Sequence, residues 1–132
     1  MKILVDTHCL LWILNNPERL SQAKRHLLGL DTTEVYASSV NFWEISLKSA
    51  IGKIKLKKYS VDEIIQNVNE SNIQLINLTP EEAISYHKLP VTEHKDPFDR
   101  MLIWQAIKND FHFMTEDTLI KKYSEKYRVK LV

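Results

Sequence analysis

Short apolar segments of strand character alternate along the whole chain with longer segments of helical periodicity. The strand candidates are KILV, EVYA, IQLINL, FHFM and RVKLV, at residues 2–5, 34–37, 73–78, 111–114 and 128–132. Such alternation is typical of a layered α/β domain with a mostly parallel sheet. The sequence therefore predicts an α/β fold, and 132 residues suffice for one domain over 1–132 but not for two.

Helix-capping residues and prolines mark where the helices begin and end. The sequence Asn-Asn-Pro at 15–17 ends the first helix, and Ser38 or Ser39 begins the third. Helices are predicted over residues 9–16, 20–29, about 40–50, 60–70 and 117–127, and two more begin near residues 79 and 96. Residues 53–58, KIKLKK, are predicted to form a loop or a short ribbon.

The charge balance excludes a protein that coats nucleic acid through a broad basic field, because 18 basic and 17 acidic side chains leave a formal charge of +1. An enzyme that acts on nucleic acid through a small local site stays compatible with this charge. Cys9 is the only cysteine, which excludes an intrachain disulfide and a cysteine-rich zinc site. The start MKILVD is far short of a signal-peptide core, and no apolar run approaches the ~18–20 residues that span a bilayer. We therefore expect a cytoplasmic protein that does not bind a membrane.

Two aspartates lie just beyond predicted strands. Asp6 follows KILV, and Asp117 follows FHFMTE. In open parallel sheets, ligands bind beyond the carboxyl ends of the strands, where both acids are expected. Each acid can also be explained as the N-cap of the following helix. Thr7 could share the capping role of Asp6, and Thr115 or Glu116 could take the place of Asp117.

Two further acids interrupt apolar helix faces. Glu44 shares one face of its helix with the apolar residues at 40, 43, 47, 50 and 51, which predicts that its carboxylate points inward or toward the rim. The alternative is an exposed ion pair with Lys48, one turn further on, worth roughly 0.3–0.5 kcal/mol. Asp99 shares a helical line with Ile103 and Ala106, which predicts an inward position for it too.

Asp96 precedes Pro97 and fits the N-cap position of the helix that carries Asp99. Capping is sufficient to explain Asp96. A favourable interaction with the helix dipole explains an acid at position 99, but it does not explain an inward one.

Four acids, Asp6, Glu44, Asp99 and Asp117, are thus predicted to converge at one end of a parallel sheet. Two carboxylates ~6 Å apart repel by roughly 3 kcal/mol at an effective dielectric constant near 20. A hard divalent ion offsets this repulsion, and Mg²⁺ binds through a few carboxylates while it retains waters. Such an ion can activate a water nucleophile and neutralise charge on a phosphodiester.

The remaining histidines and tryptophans carry weaker signals. The five histidines show no HxxxH or HExxH spacing, which disfavours a zinc hydrolase. His8 and His94 flank the acidic positions, and we expect packing or surface roles for them rather than substrate contacts. Trp12, Trp43 and Trp104 are predicted to lie in the core rather than to stack on bases.

Four stretches resemble the PIN-domain family, specifically the VapC-like toxins of bacterial and archaeal toxin–antitoxin systems. They are DTHCLLW at 6–12, SSVNFWEISLKSAIGKI at 38–54, HKDPFDRMLIWQA at 94–106 and TEDTLIKKY at 115–123. The resemblance runs from end to end, and the third stretch is the most specific. Trp104 is a departure, because a small residue is usual there; it affects helix packing but not the chemistry.

The resemblance implies a three-layer α/β/α sandwich and a ribonuclease that depends on Mg²⁺ or Mn²⁺. It implies that Asp6, Glu44, Asp99 and Asp117 are the catalytic metal ligands, with Asp96 as a fifth acid that is either a ligand or only a helix cap. It also implies homodimers and neutralisation by a small cognate antitoxin.

Secondary roles follow for five other residues. Thr7 and Thr115 would orient ligands or water, and Arg100, Lys48 and Lys53 are predicted to contact the phosphates of an RNA substrate. Two alternatives remain open: a non-catalytic RNA- or protein-binding module of the same fold, and a phosphoryl-transfer domain with Asp6 as covalent nucleophile. The second is disfavoured because no second aspartate lies close to Asp6 in the sequence.

Overall fold

The structure, a computed structural model, describes residues 1–90 and 93–132. Its strands are β1 (Lys2–Val5), β2 (Glu34–Ser38), β3 (Gln74–Ile76), β4 (His112–Met114) and β5 (Lys130–Leu131). Its α-helices are α1 (Thr7–Asn15), α2 (Gln22–Leu28), α3 (Ser39–Ala50), α4 (Ile64–Glu70), α5 (Pro80–Ser85), α6 (Pro97–Lys108) and α7 (Thr118–Tyr127). Within the two described ranges, no helix combines the length and the apolar character needed to cross a membrane.

The described strands form one parallel sheet in the order β3-β2-β1-β4-β5. Leu4 of β1 pairs with Tyr36 of β2 on one side and with Phe113 of β4 on the other. The strand order reverses at β1, so the carboxyl ends of β1 and β4 border a crevice of the kind where open α/β sheets bind ligands. The predicted parallel sheet is confirmed.

Apolar cores lie on both faces of the sheet, because successive strand residues point to opposite sides. Leu4 and Phe113 belong to the core that α6 and α7 cover. Ile3, Val5 and Met114 belong to the core that α1, α3 and α4 cover. Helices on both faces of one sheet make the three-layer α/β/α sandwich.

The helix ends follow the capping signals with small shifts. Helix α2 begins at Gln22 rather than near residue 20, because Ser21 is its N-cap and accepts a hydrogen bond from the Lys24 N–H at 3.2 Å. The segment predicted as a helix over 60–70 begins with a 3₁₀ turn, Val61–Glu63, before α4. Local capping chemistry therefore decides where these helices start.

Helix α3 buries a different face from the one that its apolar pattern predicts. Its buried residues are Val40, Asn41, Glu44 and Ile45. The side-chain amide of Asn41 donates hydrogen bonds to the Val5 carbonyl at 3.2 Å and to Thr7 Oγ1 at 3.1 Å. These bonds turn the polar line of the helix toward the strand ends, so Trp43 and Leu47 face solvent.

The tryptophans differ in burial. Trp104 is buried, and its Nε1 donates a hydrogen bond to Ser85 Oγ at 3.0 Å, so the core accommodates the larger residue. Trp12 is half-buried. The prediction that Trp43 lies in the core is wrong, because its side chain is 61% exposed on the outer face of α3.

Candidate metal and active site

Asp6 and Asp117 cap helices and also line one cavity. Asp6 is 3% exposed, and its Oδ1 accepts the Cys9 N–H at 2.7 Å. Asp117 Oδ1 accepts the N–H groups of Leu119 at 2.8 Å and Ile120 at 3.0 Å. The cavity, of about 180 Å³, is lined by Asp6, His8, Trp12, Asp99, Glu116 and Asp117. Capping is therefore a correct but incomplete account of both aspartates.

Glu44 lies inside the fold, 2% exposed, although the apolar face that predicted this is not the buried one. The Thr7 hydroxyl donates a hydrogen bond to Glu44 Oε1 at 2.5 Å. The Lys48 ammonium forms an ion pair with Glu44 Oε2 and also lies 3.7 Å from Asp96 Oδ2. The predicted inward position of Glu44 is therefore confirmed, and the ion pair with Lys48 forms at this buried carboxylate rather than at an exposed one.

Asp96 is the N-cap of α6, as predicted. Its Oδ1 accepts the N–H groups of Phe98 at 2.9 Å and Asp99 at 3.0 Å. Its other oxygen faces Lys48. The cap thus uses one oxygen of this carboxylate and leaves the second close to Lys48.

His94 touches the acidic site, which its predicted packing or surface role did not include. It is 5% exposed, and its Nε2 lies 3.5 Å from Asp99 Oδ2. Its Nδ1 lies 3.2 Å from the Tyr127 hydroxyl, which fixes the orientation of the ring. The only signal for His94 in the sequence was its position five residues before Asp99.

Burial and neighbouring carboxylates raise the pKa of Asp99 to about 8. In order of decreasing effect, the contributing carboxylates belong to Asp96, Glu44, Asp6 and Asp117. Burial also raises the pKa of Asp6, against the opposing effect of hydrogen bonds from Thr115 and Cys9. The acids act on one another electrostatically, so their predicted convergence at the carboxyl ends of the strands is correct.

Two overlapping groups of side chains offer ligand atoms for a cation, within 4.8 Å of one another in each group. One group is His94, Asp99 and Asp117, and the other is Glu44, Asp96 and Asp99. Carboxylate oxygens are the donors that Mg²⁺ and Mn²⁺ prefer. Asp99 belongs to both groups, and a bound cation would favour the ionised form of its carboxyl group. The residues present therefore fit a hard divalent ion.

Lys24 supports this site and was missed by the sequence analysis. Its ammonium forms an ion pair with Glu116 and donates a hydrogen bond to the Thr115 carbonyl at 3.1 Å. The Thr115 hydroxyl in turn accepts a hydrogen bond from the Asp117 N–H at 3.0 Å. No local sequence pattern indicates a role for Lys24, because its partners lie more than ninety residues away in the chain.

The residues predicted to contact substrate phosphates have different surroundings in the structure. Arg100 donates hydrogen bonds to the Tyr86 hydroxyl at 2.9 Å and to the His94 carbonyl at 3.3 Å, so its guanidinium holds the segment before α6. Lys53 lies exposed after α3, where its N–H donates to the Lys48 carbonyl at 2.8 Å. Substrate contact by Arg100, Lys48 and Lys53 stays a prediction.

Comparison with known proteins gives consistent matches. The family model of the PIN domain matches residues 3–126. Ribonuclease VapC22 of Mycobacterium tuberculosis is 24% identical over 121 residues, which cover 92% of this chain and 91% of that protein. The match therefore spans nearly the whole of both chains.

Two solved structures have the same architecture. VapBC2 from Rickettsia felis, bound to a DNA fragment from its promoter, matches with a TM-score of 0.68 at 14% identity and covers 100% of this chain and 98% of that one. VapBC-1 from nontypeable Haemophilus influenzae matches with a TM-score of 0.64 at 14% identity and covers 100% and 97%. At such identities the likeness establishes the fold.

Proposed function

Because this chain belongs to the PIN-domain family, we propose that it is a metal-dependent endoribonuclease and the toxin of a toxin–antitoxin pair. The similarity to Ribonuclease VapC22 supports the reaction, the hydrolysis of RNA phosphodiester bonds. The single observation that carries the proposal is the environment of Asp99, where burial and four further carboxylates raise the pKa to about 8. Such an arrangement is costly without a cation and useful with one.

Asp6, Glu44, Asp99 and Asp117 are the proposed metal ligands and catalytic residues, and Mg²⁺ or Mn²⁺ is the proposed ion. When bound, such an ion lowers the pKa of water and neutralises charge that develops on a phosphodiester. His94 is added to the proposed ligands because its Nε2 faces Asp99 at 3.5 Å.

Neighbouring residues hold these carboxylates in place. Thr7 fixes Glu44 through a 2.5 Å hydrogen bond, and the Thr115 hydroxyl accepts the Asp117 N–H at 3.0 Å. Lys48 offsets part of the negative charge beside Glu44 and Asp96. Groups fixed in this way need little reorganisation when substrate and ion bind.

The proposed partners are an RNA substrate, a cognate antitoxin protein and a second copy of the chain. The two solved structures of the same fold are VapBC assemblies, which supports the antitoxin. The proposal of a homodimer rests on the resemblance of the sequence to the PIN-domain family. Cellular RNA as substrate makes the cytoplasm the proposed place of action.

The phosphoryl-transfer alternative loses support from the position of Asp6. Its carboxylate is 3% exposed and uses one oxygen to cap α1. A nucleophile must instead reach the phosphorus atom of its substrate.

Cleavage of total cellular RNA, with Mg²⁺ and with excess EDTA, tests the proposed function. We expect fragments in Mg²⁺, none in EDTA, and none from the Asp99→Asn variant in either condition. Undiminished cleavage in EDTA would overturn the metal mechanism. Absence of cleavage by the folded wild-type chain across Mg²⁺ and Mn²⁺ would favour the non-catalytic binding module.

A further inference from the structure

A second cavity adjoins the acidic one through Trp12, which lines both. We call this cavity, of about 240 Å³, the basic groove. Its polar lining consists of Asn15, Asn16, Arg19, Lys55 and Lys57. The two lysines belong to residues 53–58, which form a loop. Among the described residues, the lining of the groove contains three cations and no carboxylate, and the groove lies directly beside a cavity rich in carboxylates.

The cations of the basic groove form no close ion pair with the carboxylates of the described residues. Over the described ranges, Arg19, Lys55 and Lys57 have no carboxylate oxygen within 4.0 Å of their charged nitrogens. The guanidinium of Arg19 instead lies over the Trp12 ring, 5.4 Å from its centroid. Charges of one sign in a concave surface raise the local concentration of an oppositely charged ligand.

The cations closest to the acids are already engaged. Lys24 pairs with Glu116, and Lys48 pairs with Glu44. Arg100 is bonded to Tyr86 and to the carbonyl before α6. Engaged groups must give up these bonds to contact a phosphate, whereas those of the basic groove need not.

An RNA strand at the acidic site needs cations beyond that site, because carboxylates repel its phosphates. Single-stranded nucleic acid usually binds along a basic groove that contains an aromatic side chain, and the half-buried Trp12 lies between the two cavities. We propose that single-stranded RNA passes from the acidic cavity over Trp12 and binds through its phosphates to Arg19, Lys55 and Lys57. The inference rests on the proposed ribonuclease function and adds the place where the flanking nucleotides are held.

A pair of charge-matched triple variants tests this. The groove variant is Arg19→Gln/Lys55→Gln/Lys57→Gln, and the control variant is Lys88→Gln/Lys122→Gln/Lys126→Gln. The control removes the same charge from exposed positions, two of which line a separate cavity that shares no residue with the acidic one. All chains in the binding experiment also carry Asp99→Asn, so that the RNA stays intact.

The probe is a fluorescein-labelled single-stranded RNA of random sequence, titrated at several salt concentrations. Each phosphate contact contributes about 0.7 to the slope of log affinity against log salt. We expect the groove variant to lose about 2 from this slope, and the control variant to keep the slope of its parent. Equal slopes for both variants would overturn the proposal.

Steady-state cleavage by chains that retain Asp99 gives a second readout. The groove variant should show a raised KM with kcat preserved, because the lost contacts bind substrate and transition state alike. If the wild-type chain cleaves RNA and the groove variant cleaves it with unchanged KM, the proposal that the groove binds RNA is wrong, while the proposed ribonuclease function stands. If the wild-type chain neither binds nor cleaves RNA, both fail.

Poly-L-glutamate in the same titration tests the other class of ligand, an acidic protein segment. We expect weak binding of this polymer to the wild-type chain. Tighter binding of poly-L-glutamate than of RNA, lost in the groove variant, would assign the groove to a protein partner and overturn the proposal.

Discussion

The carboxylate of Asp96 accepts a hydrogen bond from the backbone N–H of Asp99 at 3.0 Å. One aspartate therefore holds the helix turn from which the other reaches the acidic site. Asp96 itself raises the pKa of Asp99 more than any other carboxylate does. The two residues are linked by both structure and charge, yet their substitution should have different consequences.

Replacement of Asp96 tests its role as a cap. Asp96→Ser should keep most of the stability and activity, because Ser offers an equivalent acceptor to the free N–H groups, whereas Asp96→Ala should cost about 1 kcal/mol. Asp99→Asn should stay folded but lose RNA cleavage by orders of magnitude. Melting temperature and cleavage rate of the three variants separate these roles. If Asp96→Ser is folded and as inactive as Asp99→Asn, both aspartates serve the reaction.

The pKa of Asp99 predicts how the stability of the metal-free protein depends on pH. Its pKa rises from 3.8 to about 8 on folding, so between these values the folded chain keeps a proton that the unfolded chain has released. Stability then falls as pH rises through this window and levels off above about pH 8. The Asp99→Asn variant does not lose stability in this way. The difference between its melting temperature and that of the wild type should therefore increase with pH. A constant difference between the two chains across the window would contradict the assignment.

Asp6→Asn separates capping from metal binding. Asn can still accept the Cys9 N–H, so the metal-free protein should keep its melting temperature or gain slightly from lost repulsion. Nuclease activity should disappear, and Mg²⁺ should raise the melting temperature less than in the wild type. Cleavage at the wild-type rate would show that Asp6 is only a cap.

Lys48 serves as an internal counter-ion, so its removal should change the response to metal. Lys48→Met leaves the buried Glu44 carboxylate without its cation, which should lower the melting temperature of the metal-free protein. The same change should enlarge the gain in melting temperature on addition of Mg²⁺, because the metal-free site then carries more uncompensated negative charge. Lys53→Met, at an exposed position, is the control. Identical gains in the two variants would argue against this role.

The cognate antitoxin is predicted to place an arginine or lysine at or beside the acidic site. A guanidinium can pair with carboxylates through two hydrogen bonds, and it would compete there with the metal ion. The affinity for Mn²⁺, measured by titration of the free chain and of the purified complex, should therefore drop in the complex. An affinity unaffected by the antitoxin would rule out this form of inhibition.

The layered α/β architecture and the positions of most of the acids could be predicted from the sequence alone. Alternating strands and helices leave few alternatives to a parallel sheet, and the strands of a parallel sheet end at a common edge. Asp6 and Asp117 follow strands β1 and β4, so local position was enough to bring them together. The capping role of Asp96 was likewise readable, because a cap depends on neighbours within three residues.

The side chains that surround those acids could not be predicted, because they depend on tertiary contacts. The inward turn of Glu44 follows from the bonds of Asn41 to Val5 and Thr7, not from an apolar stripe. Lys24 reaches the site through partners more than ninety residues away, and Tyr127, 33 residues from His94, holds the ring of that histidine. Such contacts depend on the angle at which the helices pack against the sheet. The spacing of apolar residues along a helix does not specify that angle.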